Sequence, residues 1–313
     1  MIIFIVKADD RVGFGHLSRS TALAAKLKNF YNRIYIYGVN KRLKAVNLNP
    51  FTKIFSDKSD ILSIIKKKKI KKIIIDKKIN TSFLKKALKN TGCKIIQINN
   101  DPQNLKNVDF TINHLIKKKF NSLGGIKYLI IRTNLINKFK KLKYQNKTNI
   151  LVSLGASFNF RYYKKVIELI NTLNSKEYKM NIILPSLEIK KKCKSLKKKI
   201  KIIINPTNQV LKEMYKKSNI GISSGGMQLS EMIANQIITI PFPKNKTEKE
   251  NINFFANRDF CHSLNKNLTH KNLCNKIKEI INNQSRRKRI EESIIRNFEL
   301  NGAFNTAQII KNL

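Results

Sequence analysis

A chain of 313 residues with 42% hydrophobic content has the length for about two domains and the material for a sizeable buried core. No apolar stretch reaches the ~18 residues a membrane helix requires, so no stable membrane insertion is expected, and the opening apolar run, too short for a leader, suggests a cytoplasmic protein. The formal net charge of +45 invites a nucleic-acid reading. Lysine far outnumbers arginine, however, and the runs at residues 66–69, 117–119 and 197–199 carry no interleaved aromatic side chains on which bases would stack. Abundant Ile and Asn point to an AT-rich coding sequence. A solvated lysine surface is therefore expected, with no nucleic-acid partner.

Taken in chain order, residues 2–6 form an apolar run that predicts a β-strand. It leads through Asp9, Asp10 and Arg11 into Gly13-Phe14-Gly15-His16, and helical spacing then continues to Phe30. Strands follow at residues 33–38 and 72–76, the second ending in Asp76; a helix at 82–90 is stopped by Gly92. Further strands are predicted at 94–98, 109–113 and 128–131. The polar, lysine-rich stretch between Asn134 and Thr148 is the candidate linker, which divides the chain into a first domain over 1–140 and a second over 148–313, with the last helix able to pack back on the first.

A second series then begins. Strands are predicted at 149–153, 181–184, 201–204, 220–223 and 237–240, and helices at 162–173, 187–198, 208–217, 227–235 and 251–257. Strands that alternate with helices pair in parallel and are covered on both faces, so the fold class is α/β with two Rossmann-like domains. In such sheets ligands sit beyond the carboxyl ends of the strands, and the expected site is a cleft that the two domains face.

Three strand-to-helix turns carry the candidate chemistry. At the first, Gly13 and Gly15 let the backbone bend and approach a ligand, the helix start offers unpaired N–H groups to an anion, and His16 stands at its mouth. Histidine exchanges protons near neutral pH, which suits it to acid–base work. Asp9 or Asp10 would orient His16, or cap the turn instead. At the second turn, Ser223-Ser224-Gly225-Gly226 follows a strand and opens a helix, with Glu231 placed to reach the ribose of a nucleotide whose phosphates rest on the helix start. Gly155, in the third, would complete the phosphate cradle. Asn251 would orient a sugar or a water, or simply begin a helix. Plain structural turns share these glycines, and an exposed glutamate shares this spacing. The four cysteines Cys93, Cys193, Cys261 and Cys274 form no C-x-x-C pair, and His262 and His270 lack partners at ligand spacing. No disulfide framework and no metal site are expected.

The blocks Asp9-Asp10-Arg11-Val12-Gly13-Phe14-Gly15-His16-Leu17-Ser18-Arg19, Tyr128-Leu129-Ile130-Ile131-Arg132, Ile150-Leu151-Val152-Ser153-Leu154-Gly155 and Ser223-Ser224-Gly225-Gly226 followed by Glu231 resemble the PseG/SpsG-like nucleotide-sugar hydrolases, over nearly the whole chain. That resemblance implies a GT-B type fold, His16 as the catalytic base in a turn shaped by Gly13 and Gly15, and a substrate-binding set of Asp10, Gly13, Gly15, Arg19, Gly155, Ser224, Gly225, Gly226, Glu231 and Asn251. The implied reaction is hydrolysis of a UDP-linked diacetamido-trideoxy sugar to free sugar and UDP by C–O cleavage, as in pseudaminic-type acid biosynthesis, with no cofactor and no metal. The chain departs from the family pattern at Ala156, Ser157 and Phe158, at Asp76-Lys77-Lys78, at Asn100-Asp101 and at Ile252. These changes fall on sugar-facing positions, so the reaction type is better specified than the sugar. A GT-B glycosyltransferase and a non-catalytic binding protein are the alternatives. The partner expected is a nucleotide sugar, and oligomeric state is not encoded in any feature of the sequence.

Overall fold

The computed structural model describes residues 1–8, 15–39, 48–56, 59–76, 82–89, 91–98, 107–116, 121–137, 148–155, 160–173, 178–193, 200–262 and 270–313. The chain forms two compact units, Met1–Arg132 with Glu299–Leu313, and Thr133–Phe298. Unit 1 runs β1 (Ile2–Ala8), α1 (Gly15–Leu27), β2 (Ile34–Val39), β3 (Lys53–Phe55), α2 (Ile61–Lys67), β4 (Lys72–Asp76), α3 (Ser82–Ala87), β5 (Lys94–Gln97), β6 (Phe110–Ile112) and β7 (Ser122–Leu123). Unit 2 follows with β8 (Thr148–Ser153), α4 (Phe160–Leu173), β9 (Tyr178–Leu184), α5 (Leu187–Lys192), β10 (Lys201–Ile204), α6 (Asn208–Lys217), β11 (Ile220–Ser224), α7 (Met227–Ala234), β12 (Ile238–Phe242), α8 (Lys246–Ala256), α9 (His270–Asn282) and α10 (Gln284–Asn297). The chain then returns to unit 1 with α11 (Gly302–Asn312). Among the described residues no helix is long and apolar enough to cross a membrane.

The sheet of unit 1 has seven strands in the order β3-β2-β1-β4-β5-β6-β7, and that of unit 2 has five in the order β10-β9-β8-β11-β12. Every recorded pairing is parallel. The central strands β1, β4 and β5 read as isoleucine-rich runs because helices cover both faces and their side chains meet a core on either side. Successive residues serve opposite sides. Ile2, Phe4, Val6, Ile34, Ile36, Ile74 and Ile96 pack with Leu17, Leu23 and Leu27 of α1 and with Ala303, Ala307 and Ile310 of α11. Ile3, Ile5, Tyr35, Tyr37, Ile73, Ile75 and Ile95 pack with Ile65 and Leu84 of α2 and α3. Asp76, two residues beyond Ile74, therefore falls on the α1 side of the sheet at the carboxyl end of β4.

The segment expected as a strand at 128–131 is not one. It is a single 3-10 turn, Ile126–Tyr128, followed by Leu129 in an extended conformation and by residues without regular structure. Its apolar side chains are nonetheless buried, because α11 lies against it. At Gly302 a Cβ would stand 1.9 Å from the Leu129 carbonyl oxygen, so the helix docks backbone to backbone. The other end of α11 is held by Lys72, whose Nζ donates to the carbonyls of Ile310 at 2.6 Å and Lys311 at 3.0 Å, a cation on the negative end of the helix. Gly302→Ala is expected to destabilise unit 1 by about 1–3 kcal/mol through overpacking. Denaturant unfolding with an unchanged m-value would report it.

In unit 2, Leu151, Ile183, Leu211, Tyr215, Met232 and Ile237 form a core between the sheet and the helices α6 and α7. The helix expected at 251–257 starts earlier. Asn245 accepts a hydrogen bond from the Glu248 N–H at 2.9 Å and caps α8 ahead of the polar run from Lys246 to Glu250. Asn251 consequently lies in the second turn of α8 rather than at its opening.

Candidate functional site

In unit 1 the site begins where β1 hands over to α1. Gly15 opens the helix, and a Cβ there would meet nothing within 4 Å among the described residues. His16, Arg19 and Ser20 stand at helical spacing on one face of α1. All three converge on Asp76, which is fully buried. The His16 Nδ1 lies 2.8 Å from Asp76 Oδ1. Arg19 engages both carboxylate oxygens, its Nε donating to Oδ2 at 3.0 Å and a terminal nitrogen donating to Oδ1 at shorter range. Ser20 Oγ donates to Oδ2 at 3.1 Å. Of these groups His16 keeps the most exposure, with 32% of its side chain open to solvent.

The electrostatics follow from the pairing. Burial works to raise the Asp76 carboxyl, but the adjoining Arg19 guanidinium and the His16 ring more than offset it and hold the group well below the usual carboxylate range. Arg19 is correspondingly held above its ordinary value: burial opposes its charge, and Asp76 more than compensates. Asp76 is thus an anion at any pH where the protein is folded near neutrality. Of the residues expected here, Asp10 and Gly13 lie outside the described residues, as does Asp9. The carboxylate on His16 in the described structure is Asp76, contributed from 60 positions away.

In unit 2, Gly155, Ser224, Gly225, Gly226 and Asn251 come together at the carboxyl ends of β8, β11 and β12. Gly155 has φ +84°, a left-handed conformation that glycine adopts without cost, and a Cβ on it would stand 3.3 Å from Lys244 Nζ and 3.6 Å from Ser224 Oγ. The Tyr163 hydroxyl donates to the Gly155 carbonyl at 2.7 Å and fixes the turn from α4. Gly226 is the N-cap of α7 and brings no side-chain cap of its own; a helix start favours an anion. Gly225 is required by packing: a Cβ would stand 2.4 Å from the Glu248 carbonyl oxygen of α8. Asn251 Nδ2 donates to the Gly225 carbonyl at 2.6 Å, so its amide ties α8 to the turn.

Two residues of this cluster carried no sequence expectation. Glu248 Oε2 accepts the N–H groups of Gly225 at 3.2 Å and Lys244 at 2.9 Å. Lys244 Nζ lies 3.4 Å from Glu248 Oε1 and donates to the Leu154 carbonyl at 3.2 Å. A lysine just past a strand end does not stand out in a chain with 64 lysines and arginines; Asn245 three residues before Glu248 is the one local signal, a helix-capping pair. Glu231 is fully buried, with Tyr215 Oη donating to its Oε2 at 3.1 Å. From there a ribose contact requires the carboxylate to become exposed on binding. Gly225→Ala is expected to cost unit 2 about 1–3 kcal/mol by overpacking and to weaken UDP binding with it. Calorimetric titration of UDP, beside a thermal scan, checks both.

No protein-family model and no curated protein matches this chain in sequence. Solved structures do match in shape. MurG of Acinetobacter baumannii aligns with a TM-score of 0.70 over 100% of this chain and 99% of its own at 10% identity. The chain has the GT-B fold. MnaA of S. aureus, solved with UDP, aligns at 0.68 over 99% of this chain and 94% of its own with 12% identity. UDP-GlcNAc 2-epimerase of Neisseria meningitidis, bound to UDP-GlcNAc, aligns at 0.60 over 100% and 99% with 11% identity. At these identities the likeness is one of GT-B architecture, two parallel α/β units in succession.

Proposed function

We propose that this GT-B chain processes a nucleotide sugar, and that the reaction is hydrolysis of a UDP-linked diacetamido-trideoxy sugar to UDP and the free sugar. The observation that carries the reading is the His16–Asp76 contact at the start of α1, a partly exposed imidazole oriented by a buried anion. Such a pair accepts a proton from an attacking oxygen. In the proposed step a water oxygen bonds to the anomeric carbon, the bond from that carbon to the diphosphate oxygen breaks, and the water's proton passes to His16. UDP leaves with the electron pair of the broken bond.

Unit 2 supplies the leaving-group side of the reading. The start of α7 at Gly226, the Ser224 hydroxyl and the Lys244 ammonium would bind the diphosphate, donors aimed at charge that grows as the bond breaks. Glu231 would take the ribose. Two of the GT-B relatives were solved with UDP or UDP-GlcNAc, which supports a uridine nucleotide as the first ligand to test.

The test is a product assay. Purified protein is incubated with UDP-, GDP- and CMP-linked amino sugars in the absence of any acceptor, and the products are followed by NMR. Release of UDP with free sugar of inverted anomeric configuration is expected. Strict dependence on an added acceptor would assign a transferase instead, and conversion to an epimeric nucleotide sugar without release of UDP would assign an epimerase.

A further inference from the structure

The His16 ring nitrogen that faces inward has two neighbours with opposite demands. Asp76 Oδ1, at 2.8 Å from Nδ1, can only accept a proton. The Arg19 terminal nitrogen, at 3.0 Å from the same Nδ1, can only donate one. A neutral imidazole satisfies one of them, and the choice decides which nitrogen is left as the base.

The remaining contacts settle the choice. Arg19 already directs its donors at the carboxylate, Nε to Oδ2 at 3.0 Å and the terminal nitrogen to Oδ1, the two-pronged geometry of a guanidinium on a carboxylate. Ser20 Oγ adds a donor to Oδ2 at 3.1 Å. A carboxylate offers about four lone-pair positions, and Nδ1–H supplies the fourth donor. The closeness of Arg19 to Nδ1 then follows from two donors sharing one acceptor. The opposite assignment would set a bare nitrogen lone pair against a buried carboxylate oxygen and leave that oxygen short of a partner, a costly arrangement at a site closed to water.

We propose that Asp76 and Arg19 are positioning residues that hold His16 in the tautomer with its proton on Nδ1, so that Nε2 is the nitrogen presented to the reacting water. Asp76 selects the tautomer, and Arg19 keeps the carboxylate from rotating out of line with the ring. This inference rests on reading His16 as the proton acceptor, but its test needs no substrate.

Long-range 1H–15N correlation spectra of the 15N-labelled protein, recorded at a pH where the rings are neutral, distinguish the two tautomers directly. The chain has four histidines, and His16→Gln identifies the signal. The wild-type His16 ring is expected to show protonated Nδ1 and unprotonated Nε2. In Asp76→Ala more than half of the ring population is expected to move to the Nε2–H form, with an amide spectrum that reports retained folding. Arg19→Met, which leaves the carboxylate free to turn, is expected to populate both forms. A wild-type ring with its proton on Nε2 would overturn the proposal, and an unmixed Nδ1–H ring in Arg19→Met would remove Arg19 from it. If Asp76→Ala does not fold, the other two spectra still decide. A failed product assay with the expected wild-type spectrum would refute hydrolysis and leave the positioning intact; the reverse pair of results would do the opposite.

Discussion

His16→Ala is expected to lower the turnover number by roughly 100- to 10,000-fold, the range that removal of a general base produces, while UDP affinity stays within several-fold of wild type. The ring is the most exposed member of its cluster, and the contact that holds it is polar rather than a packing interaction, so truncation leaves the core around Leu17 and Leu23 in place. Steady-state kinetics beside calorimetric titration separates the two quantities. Equal losses in turnover and in UDP binding would make His16 a binding or folding residue instead.

The second large effect concerns stability. Asp76→Ala removes the counter-charge from Arg19, a side chain that is only 18% exposed, and leaves Ser20 without its acceptor. Breaking a buried pair from one side costs about 3–5 kcal/mol, and the residual exposure of Arg19 places the expected loss near the lower end, about 3 kcal/mol. Equilibrium urea unfolding reads it. The pH dependence has a definite sign. The carboxyl is held below its ordinary range in the folded protein, so acidification protonates the unfolded chain first. The stabilisation from Asp76 is therefore complete above about pH 4, the value of an unperturbed aspartate, and declines as the pH falls further. The gap between wild type and Asp76→Ala should narrow in acid. A gap that widens on acidification would contradict the ion-pair account.

Much of the fold is written in local pattern. Isoleucine-rich runs bounded by glycine or polar turns mark β1, β4 and β5, because strands covered on both faces favour apolar side chains at successive positions. Where pattern misled, burial and pairing had separated. Residues 128–131 are apolar enough for a strand, yet they are buried by α11 and a close backbone approach at Gly302. Lys53–Phe55 and Ser122–Leu123, by contrast, are strands too short to carry a periodic signal. The start of α8 was hidden because its capping residue, Asn245, precedes charged residues rather than an apolar stripe.

The candidate site was half legible for a related reason. Glycines and His16 announce themselves through local turn chemistry. Asp76 is visible in sequence as an acid that ends an apolar run and opens the departing segment Asp76-Lys77-Lys78; its link to His16 depends on strand parity and on β1 lying beside β4 in the sheet, neither of which can be read from residues 60 positions apart. Lys244 and Glu248 were missed because single charges carry little information in a chain of net charge +45. Glu231 has the right spacing from the glycine pair, but spacing does not report that its carboxylate is enclosed with Tyr215.

The return of the chain to its starting unit has a consequence for biosynthesis. Ala303, Ala307 and Ile310 complete the core that Ile2, Phe4 and Leu17 begin. A nascent polypeptide emerges N-terminus first, at about 5–20 residues per second, so the half translated earliest must wait for the last helix before it can close. Unit 2, made of one uninterrupted segment, can mature as soon as it has emerged, whereas unit 1 closes only when α11 has followed it out.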